Sequence, residues 1–236
     1  MVIFAAASLS DAISEIGETF GAAHGVEMVY NFSASGALAQ QIMAVSRADV
    51  FISANDRWME RVETTGRVVP GSRRKILGNA LTVIRNPLGQ FAMSEPDGFC
   101  EPEFSHLSIG DPAFVPAGEY AKAWLEAIPC ASGGNAWQAV KTRLSPAPDV
   151  RAALGQVEGS ADVVGIVYRT DVEAARGRVD VIYNVPATVG TLVVYSAALC
   201  EGRGDASLAA AFLEYFSSES VRRIIEEHGF IWLDGN

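Results

Sequence analysis

Residues 2–20 read VIFAAASLSDAISEIGETF, and the change of period inside that stretch decides the fold class. Val2–Ala7 is a short apolar run bounded by a serine, the pattern of a buried strand. From Leu9 the apolar side chains recur at Ala12, Ile13, Ile16 and Phe20, which is helical spacing, and Gly25 terminates the helix. Ser8 stands where strand gives way to helix. The same alternation continues along the chain. Further strands are predicted at Glu27–Phe32, Asp49–Ala54, Asn79–Arg85, Leu107–Ile109, Val163–Tyr168, Val179–Tyr183 and Thr191–Leu199. Helices are predicted around Leu38, Gln41 and Ile42, over Glu119–Leu125 behind Pro116, and from Asp149 through Val157. Two more cover Ser207–Phe216 and Glu219–His228. Short β-branched runs alternating with amphipathic helices indicate an α/β fold.

Two places interrupt the alternation. Near Gly78–Asn86 a polar stretch, Arg73-Arg74-Lys75, yields to a strand and then a Pro/Gly-rich loop; the second break lies at Pro186–Gly190. If the chain crosses between lobes at both, residues 1–80 plus 190–236 form one lobe and 81–189 the other, with a cleft for ligand. No internal repeat or low-complexity segment is present.

Composition narrows the function. The chain has 236 residues, 28 acidic and 18 basic, for a net charge of −10. That balance argues against a nucleic-acid binder, which needs a basic face for phosphates. At first sight it argues equally against an anionic ligand. No apolar run approaches the ~20 residues that span a bilayer, so direct membrane insertion is not expected. Met1 is followed directly by the first strand with no basic leader region, so the chain is expected to be cytosolic or a mature exported protein whose leader has been removed. Cys100, Cys130 and Cys200 form no C-x-x-C, which disfavours zinc and thioredoxin-like chemistry. A Cys100–Cys130 disulfide and three unpaired thiols both remain open.

Enzyme signatures are weak. Ser35 lies in Ser33-Ala34-Ser35-Gly36, which lacks the first glycine of a nucleophile elbow. His228, before Gly229 at a helix end, is placed to meet the terminal carbonyls rather than to act as a base. His24 and His106 have no metal-ligand spacing, and neither Gly133-Gly134 nor Gly202-x-Gly204 has the context of a phosphate loop. Asn31-Phe32-Ser33 matches a glycosylation sequon inside a predicted strand. What recurs instead is a junction. Helices begin just after strands or tight loops at Ser8, at Ser35, behind Val115-Pro116-Ala117-Gly118 and behind Asp149-Val150. A helix N-terminus exposes unpaired N–H groups and about half a positive charge. Several together bind an oxyanion without any lysine or arginine.

The segments VIFAAASLSDAISEIGETF, NFSASGALAQQI, ADVFISANDRWME, LGNALTVIRNP, IGDPAFVPAGEYAKAWL, APDVRAALGQVE and VGIVYRTDV resemble, in order and over nearly the whole chain, the periplasmic molybdate-binding proteins of bacterial ABC importers. The resemblance implies a two-lobe periplasmic-binding-protein fold of type II, with the ligand in the interlobe cleft. It implies that Ser8 and Ser35 give hydroxyl and backbone donors, Ala117 and Val150 backbone N–H, and Tyr168 its phenol. It implies no catalytic residue, no cofactor and no metal coordinated directly by protein, the molybdenum arriving as molybdate, with tungstate as a second ligand. It implies a periplasmic monomer serving a membrane permease. The family commonly carries a Tyr-Pro pair before the last crossing strand, where this chain has Val194-Tyr195-Ser196. The rival readings are a carrier of another tetrahedral oxyanion such as sulfate, a ligand-sensing effector domain, and an enzyme using the cleft. The strand starting at Val2 leaves no room for an effector's helix-turn-helix, and no base stands beside Ser8 or Ser35 in sequence.

Overall fold

The computed structural model describes residues 1–45, 47–187, 192–202 and 204–233. In chain order its elements are β1 (Val2–Ala6), α1 (Ser10–His24), β2 (Val29–Ser33), α2 (Ser35–Ala44), β3 (Val50–Ser53), α3 (Asp56–Glu63), β4 (Arg74–Asn79), β5 (Leu81–Arg85), β6 (His106–Gly110), α4 (Pro116–Glu126) and α5 (Ala136–Val140). Then come β7 (Leu144–Ala147), α6 (Val150–Glu158), β8 (Val163–Tyr168), α7 (Arg169–Ala175), β9 (Asp180–Asn184), β10 (Val193–Leu199), α8 (Ala206–Tyr215), α9 (Glu219–Glu227) and β11 (Ile231–Trp232). The fold is α/β, with two compact units: Met1–Asn79 with Val194–Asn236, and Ala80–Val193. The chain thus leaves the first unit at Asn79 and returns to it at Val194. The crossing expected at 189/190 lies outside the described residues, as does Thr191 at the start of the last predicted strand.

The first unit carries a six-stranded sheet in the order β11-β4-β10-β3-β1-β2. β1 runs parallel to β2, from Val2 opposite Val29 to Ala6 opposite Ser33, and parallel to β3. β10 runs antiparallel to β3, with Ser196 opposite Ser53. β3 is buried along its whole length, which is why it reads as an unbroken apolar run. Leu38 and Ile42 of α2 and Trp58, Met59 and Val62 of α3 pack with Phe4 and Phe51. Each such side chain contributes roughly 1.5–3 kcal/mol by leaving water. Buried Asp49 accepts from Val2 N (2.8 Å) and Gly204 N (3.0 Å). A Cβ on Gly202 would lie 2.2 Å from its Oδ1, so Gly202 and Gly204 wrap an internal carboxylate rather than a phosphate.

The second unit carries a five-stranded sheet in the order β7-β6-β8-β5-β9. β6 is parallel to both β7 and β8, and β5 is antiparallel to β8 and β9. Pro146 sits on edge strand β7, where its missing N–H is least costly. Phe91, Phe99, Phe104 and Trp124 form an aromatic cluster with mostly edge-on contacts. Beside it a disulfide joins Cys100 to Cys130. Cys200 is a buried thiol whose pKa burial pushes up to about 12, so it is chemically quiet.

The strand predicted over Asn79–Arg85 is in fact the end of β4, a crossing, and all of β5. Ala80 O accepts from Arg169 N at 2.9 Å, so the chain changes sheets inside what reads as one apolar run. β4 and β7 escaped the sequence reading because one begins with two cations and the other contains proline. Their pairing comes from neighbours distant in sequence.

Candidate functional site

In the first unit β1, β2 and β3 are parallel neighbours, so their carboxyl ends lie side by side, the usual place for a ligand in an α/β sheet. Ser8 occupies a single 3-10 turn, Ala7–Leu9, between β1 and α1, and is 2% exposed. Its Oγ lies 2.9 Å from Tyr195 Oη. The antiparallel course of β10 explains the contact: its first residues lie beside the end of β3, one strand away from the end of β1. Asn79 Nδ2 donates to the same phenol oxygen at 3.3 Å. Ser35 is the first residue of α2 and fully buried. Its Oγ accepts from Ala54 N at 3.0 Å, just beyond β3. A hydroxyl that accepts there keeps its own proton for another partner.

In the second unit β7, β6 and β8 are also parallel neighbours, and their ends carry the remaining candidates. Gly110 at the end of β6 pairs with Ala147 at the end of β7. The turn after β6 is tied by Asp111, whose carbonyl accepts from Phe114 N (3.0 Å) and Val115 N (2.8 Å) and whose carboxylate accepts from Ala113 N (2.9 Å). α4 then starts at Pro116, a residue suited to a first helical turn, and Ala117 is buried in that turn. A Cβ on Gly118 would stand 1.8 Å from Gly110 O, so the helix end presses directly on the strand end. Asp149 caps α6 through Ala152 N (2.8 Å), and Val150 is the first helical residue. Tyr168 ends β8 with its side chain 1% exposed.

One buried carboxylate links two of these positions. Asp171 Oδ2 accepts from Tyr168 N at 3.0 Å, and Oδ1 lies 2.7 Å from Arg151 Nε, next in chain to Val150. Burial pushes the Asp171 carboxyl up to about 6; Arg151 and the Tyr168 N–H oppose the rise, and the like charge of Asp149 adds to it.

The caps sort the helices. α3, α5, α8 and α9 start with a side chain bonded to first-turn N–H groups: Asn55, Asn135, Asp205 and Ser218. α1, α2 and α4 are preceded by Leu9, Ala34 and Val115, none of which makes a side-chain cap bond. At α1, α2 and α4 no side-chain cap competes for the first-turn N–H groups. α6, at Val150, is capped as α3, α5 and α9 are, its Asp149 side chain accepting from Ala152 N.

The structure thus brings Ser8 and Ser35 to one end of the first sheet, and Ala117, Val150 and Tyr168 to one end of the second. Sequence reasoning missed Asn79, Tyr195, Arg151 and Asp171, which support them. The signal for Asp171 was its position three residues after Tyr168, the spacing of an N-terminal helix contact. His228 pairs with Glu15 of α1 (2.9 Å) instead of with its own helix's carbonyls. Among the described residues no cluster of three or more His, Cys, Asp or Glu could hold a metal ion. A cavity of about 960 Å³ in the first unit, lined by Arg73, Arg74, Arg222 and Trp232, shares no residue with the junctions. Its arginines are engaged by Asp56, Glu63, Glu214 and Glu226.

Residues 1–231 match the model of the bacterial extracellular solute-binding proteins. The chain belongs to that family. Its role is accordingly solute binding and not enzymatic. This solute-binding protein is 34% identical, over 98% of its length and 88% of the relative's, to the molybdate-binding protein ModA of Escherichia coli (strain K12). In structure it is similar to the periplasmic molybdate-binding protein of Azotobacter vinelandii, with a TM-score of 0.84 at 20% identity over 99% of both chains. It is equally similar to the sulfate-binding protein SubI of Mycobacterium tuberculosis H37Rv, with a TM-score of 0.83 at 15% identity over 99% of this chain and 87% of that one. Those two likenesses establish the two-lobe binding-protein fold and leave the ligand to the chemistry of the site.

Proposed function

We propose that this solute-binding protein captures molybdate, and tungstate equally, in the periplasm and delivers it as a monomer to the membrane permease of an ABC importer. The ligand-binding residues are Ser8, Ser35, Ala117, Val150 and Tyr168. The observation that carries this reading is that the helices at Ser8, Ser35 and Ala117 have no side-chain cap, whereas α3, α5, α8 and α9 do; the helix at Val150 is capped by Asp149. The set consists of O–H and N–H donors from each unit, with no cation among them. Charge-assisted hydrogen bonds from preorganised donors are strong enough to hold an anion without one.

A donor-only set also selects. Molybdate and tungstate are fully deprotonated dianions at neutral pH, while phosphate retains a proton that would face a donor, a mismatch of roughly 1–3 kcal/mol. Sulfate lacks that proton and is rejected by size, its shorter bonds failing to reach every donor at once. Calorimetry with molybdate, tungstate, sulfate and phosphate side by side tests the assignment. Tight, similar binding of the first two and weak binding of the others is the expected result. No response to molybdate, or preference for sulfate, overturns it. Ser8→Ala and Ser35→Ala should each weaken molybdate binding by about 1.5–3 kcal/mol. Unchanged affinity in both variants would remove these residues from the site.

A further inference from the structure

Val150 and Tyr168 belong to different elements, the first turn of α6 and the end of β8, and one side chain reaches both neighbourhoods. Asp171 stands in the first turn of α7 and is 0% exposed. Its Oδ2 accepts from Tyr168 N at 3.0 Å, and its Oδ1 lies 2.7 Å from Nε of Arg151, the residue after Val150. The rest of α6 is held separately. Asn86 Nδ2 donates to Val157 O (3.2 Å) and Glu158 O (2.8 Å) at its far end, and Ser108 Oγ donates to Ala153 O (3.0 Å) in its middle. Gly165 of β8 comes so near Val157 that a Cβ there would stand 2.6 Å from its Cγ2. At the first turn the Asp149 cap bonds Ala152 N in the same helix, which fixes the shape of the turn and not its place against β8. The Arg151–Asp171 pair fixes the place. A buried ion pair adds little net stability, because desolvating two charges offsets their attraction. What it adds is a set geometry between the groups it joins.

We infer that Asp171 is a positioning residue: through Arg151 and the Tyr168 N–H it sets the spacing between the donors at Val150 and Tyr168, and with it the preference for molybdate over sulfate. This rests on the reading of Val150 and Tyr168 as ligand-binding residues. Sulfate and molybdate are both tetrahedral dianions at neutral pH, so neither charge nor proton count separates them. Size separates them, and only while the donors keep their places. If the first turn of α6 could shift against β8, its donors would close on the smaller anion and the distinction would fade. Preorganised donors discriminate by staying where the larger ion needs them.

The test is titration calorimetry of the full chain with sodium molybdate and with sodium sulfate at about pH 7.5, where Asp171, with a pKa of about 6, is ionised. Asp171→Asn keeps a side-chain oxygen for Tyr168 N and cancels the pair with Arg151. It should weaken molybdate binding roughly 3- to 10-fold while sulfate binding weakens less, so that the ratio of the two affinities narrows. Arg151→Gln should narrow the ratio as well, and should lower stability by leaving a buried carboxylate without the Arg151 cation. The double variant removes both charges. Thermal unfolding should show it more stable than Arg151→Gln, while its ratio stays as narrow as in either single variant and no narrower. The role is overturned if Asp171→Asn loses affinity for both anions equally or for neither. It is overturned too if the ratio recovers along with stability in the double variant, as a merely structural role requires. A wild type that binds molybdate and sulfate equally would instead remove the ligand reading beneath the tie, and the tie with it.

Discussion

In the unit of Met1–Asn79 and Val194–Asn236 the candidate donors are serine hydroxyls, each hydrogen-bonded to a residue from elsewhere in the fold: Ser8 with Tyr195, and Ser35 with Ala54 N. In the unit of Ala80–Val193 two of the three candidates offer backbone N–H, and what aims them is the placement of whole helix ends. Gly118 lets α4 press on β6, Asp149 caps α6, and Asp171 ties Arg151 to Tyr168. The difference teaches where each half is vulnerable. A hydroxyl donor is lost by changing one atom. A backbone donor is deleted only by proline, so any other substitution disables the second unit's donors by moving its scaffold.

The sharpest way to break this comparison is Gly118→Ala. The added Cβ would meet the Gly110 carbonyl at 1.8 Å, and backbone cannot yield as a flexible side chain can. We expect a loss of about 3 kcal/mol or more in denaturant unfolding, together with loss of molybdate binding. A variant of wild-type stability would show that the helix end has slack. Reduction of Cys100–Cys130, which are 30 residues apart in sequence, should cost about 3 kcal/mol and act on the second unit alone. Hydrogen exchange under reducing conditions checks this, and equal loosening of α1 or α2 would contradict it.

Asp171 sharpens the comparison through pH. Its folded pKa, about 6, is raised above the ordinary 3.8, so the folded state holds the proton more tightly than the unfolded chain. The stability this contributes is fully present below about pH 4 and is lost as pH rises through about 6, an effect of about 2–3 kcal/mol. Asp171→Asn removes that slope. Relative to the wild type it should gain stability between pH 4 and pH 7 while binding molybdate less well, because Arg151 and Tyr168 lose their common anchor. Parallel stability profiles for the two proteins would refute the titration. The smallest effect is expected for Tyr168→Phe, about 1 kcal/mol of binding free energy in calorimetry, because a water can stand in for one phenol.

Much of this was readable in advance from particular residues. Val2–Ala7 running into Ser8 showed a strand-to-helix junction, and Gly25, at φ 64°, ends α1 where a left-handed residue was needed. VPAG could be read as a helix start because proline suits the first turn. Its glycine could not be read as a contact with Gly110, since that needs β6 and α4 in place. Nor was Tyr195 readable as a partner of Ser8. The two are 187 residues apart in sequence and meet only because β10 returns antiparallel beside β3.

The net charge of −10 bears on solubility and long-range steering and not on ligand sign, because the candidate donors are neutral dipoles. By itself the sequence determined the α/β class, most of the helix starts and the residue types at four junctions. Those follow from local periodicity and capping chemistry, which act over a few residues. Only the tertiary structure decided strand order, the return to the first unit at Val194, the Cys100–Cys130 pairing and the supports behind Ser8 and Tyr168. Those depend on which strands pair across the sheet, and pairing partners far apart in sequence leave no local trace.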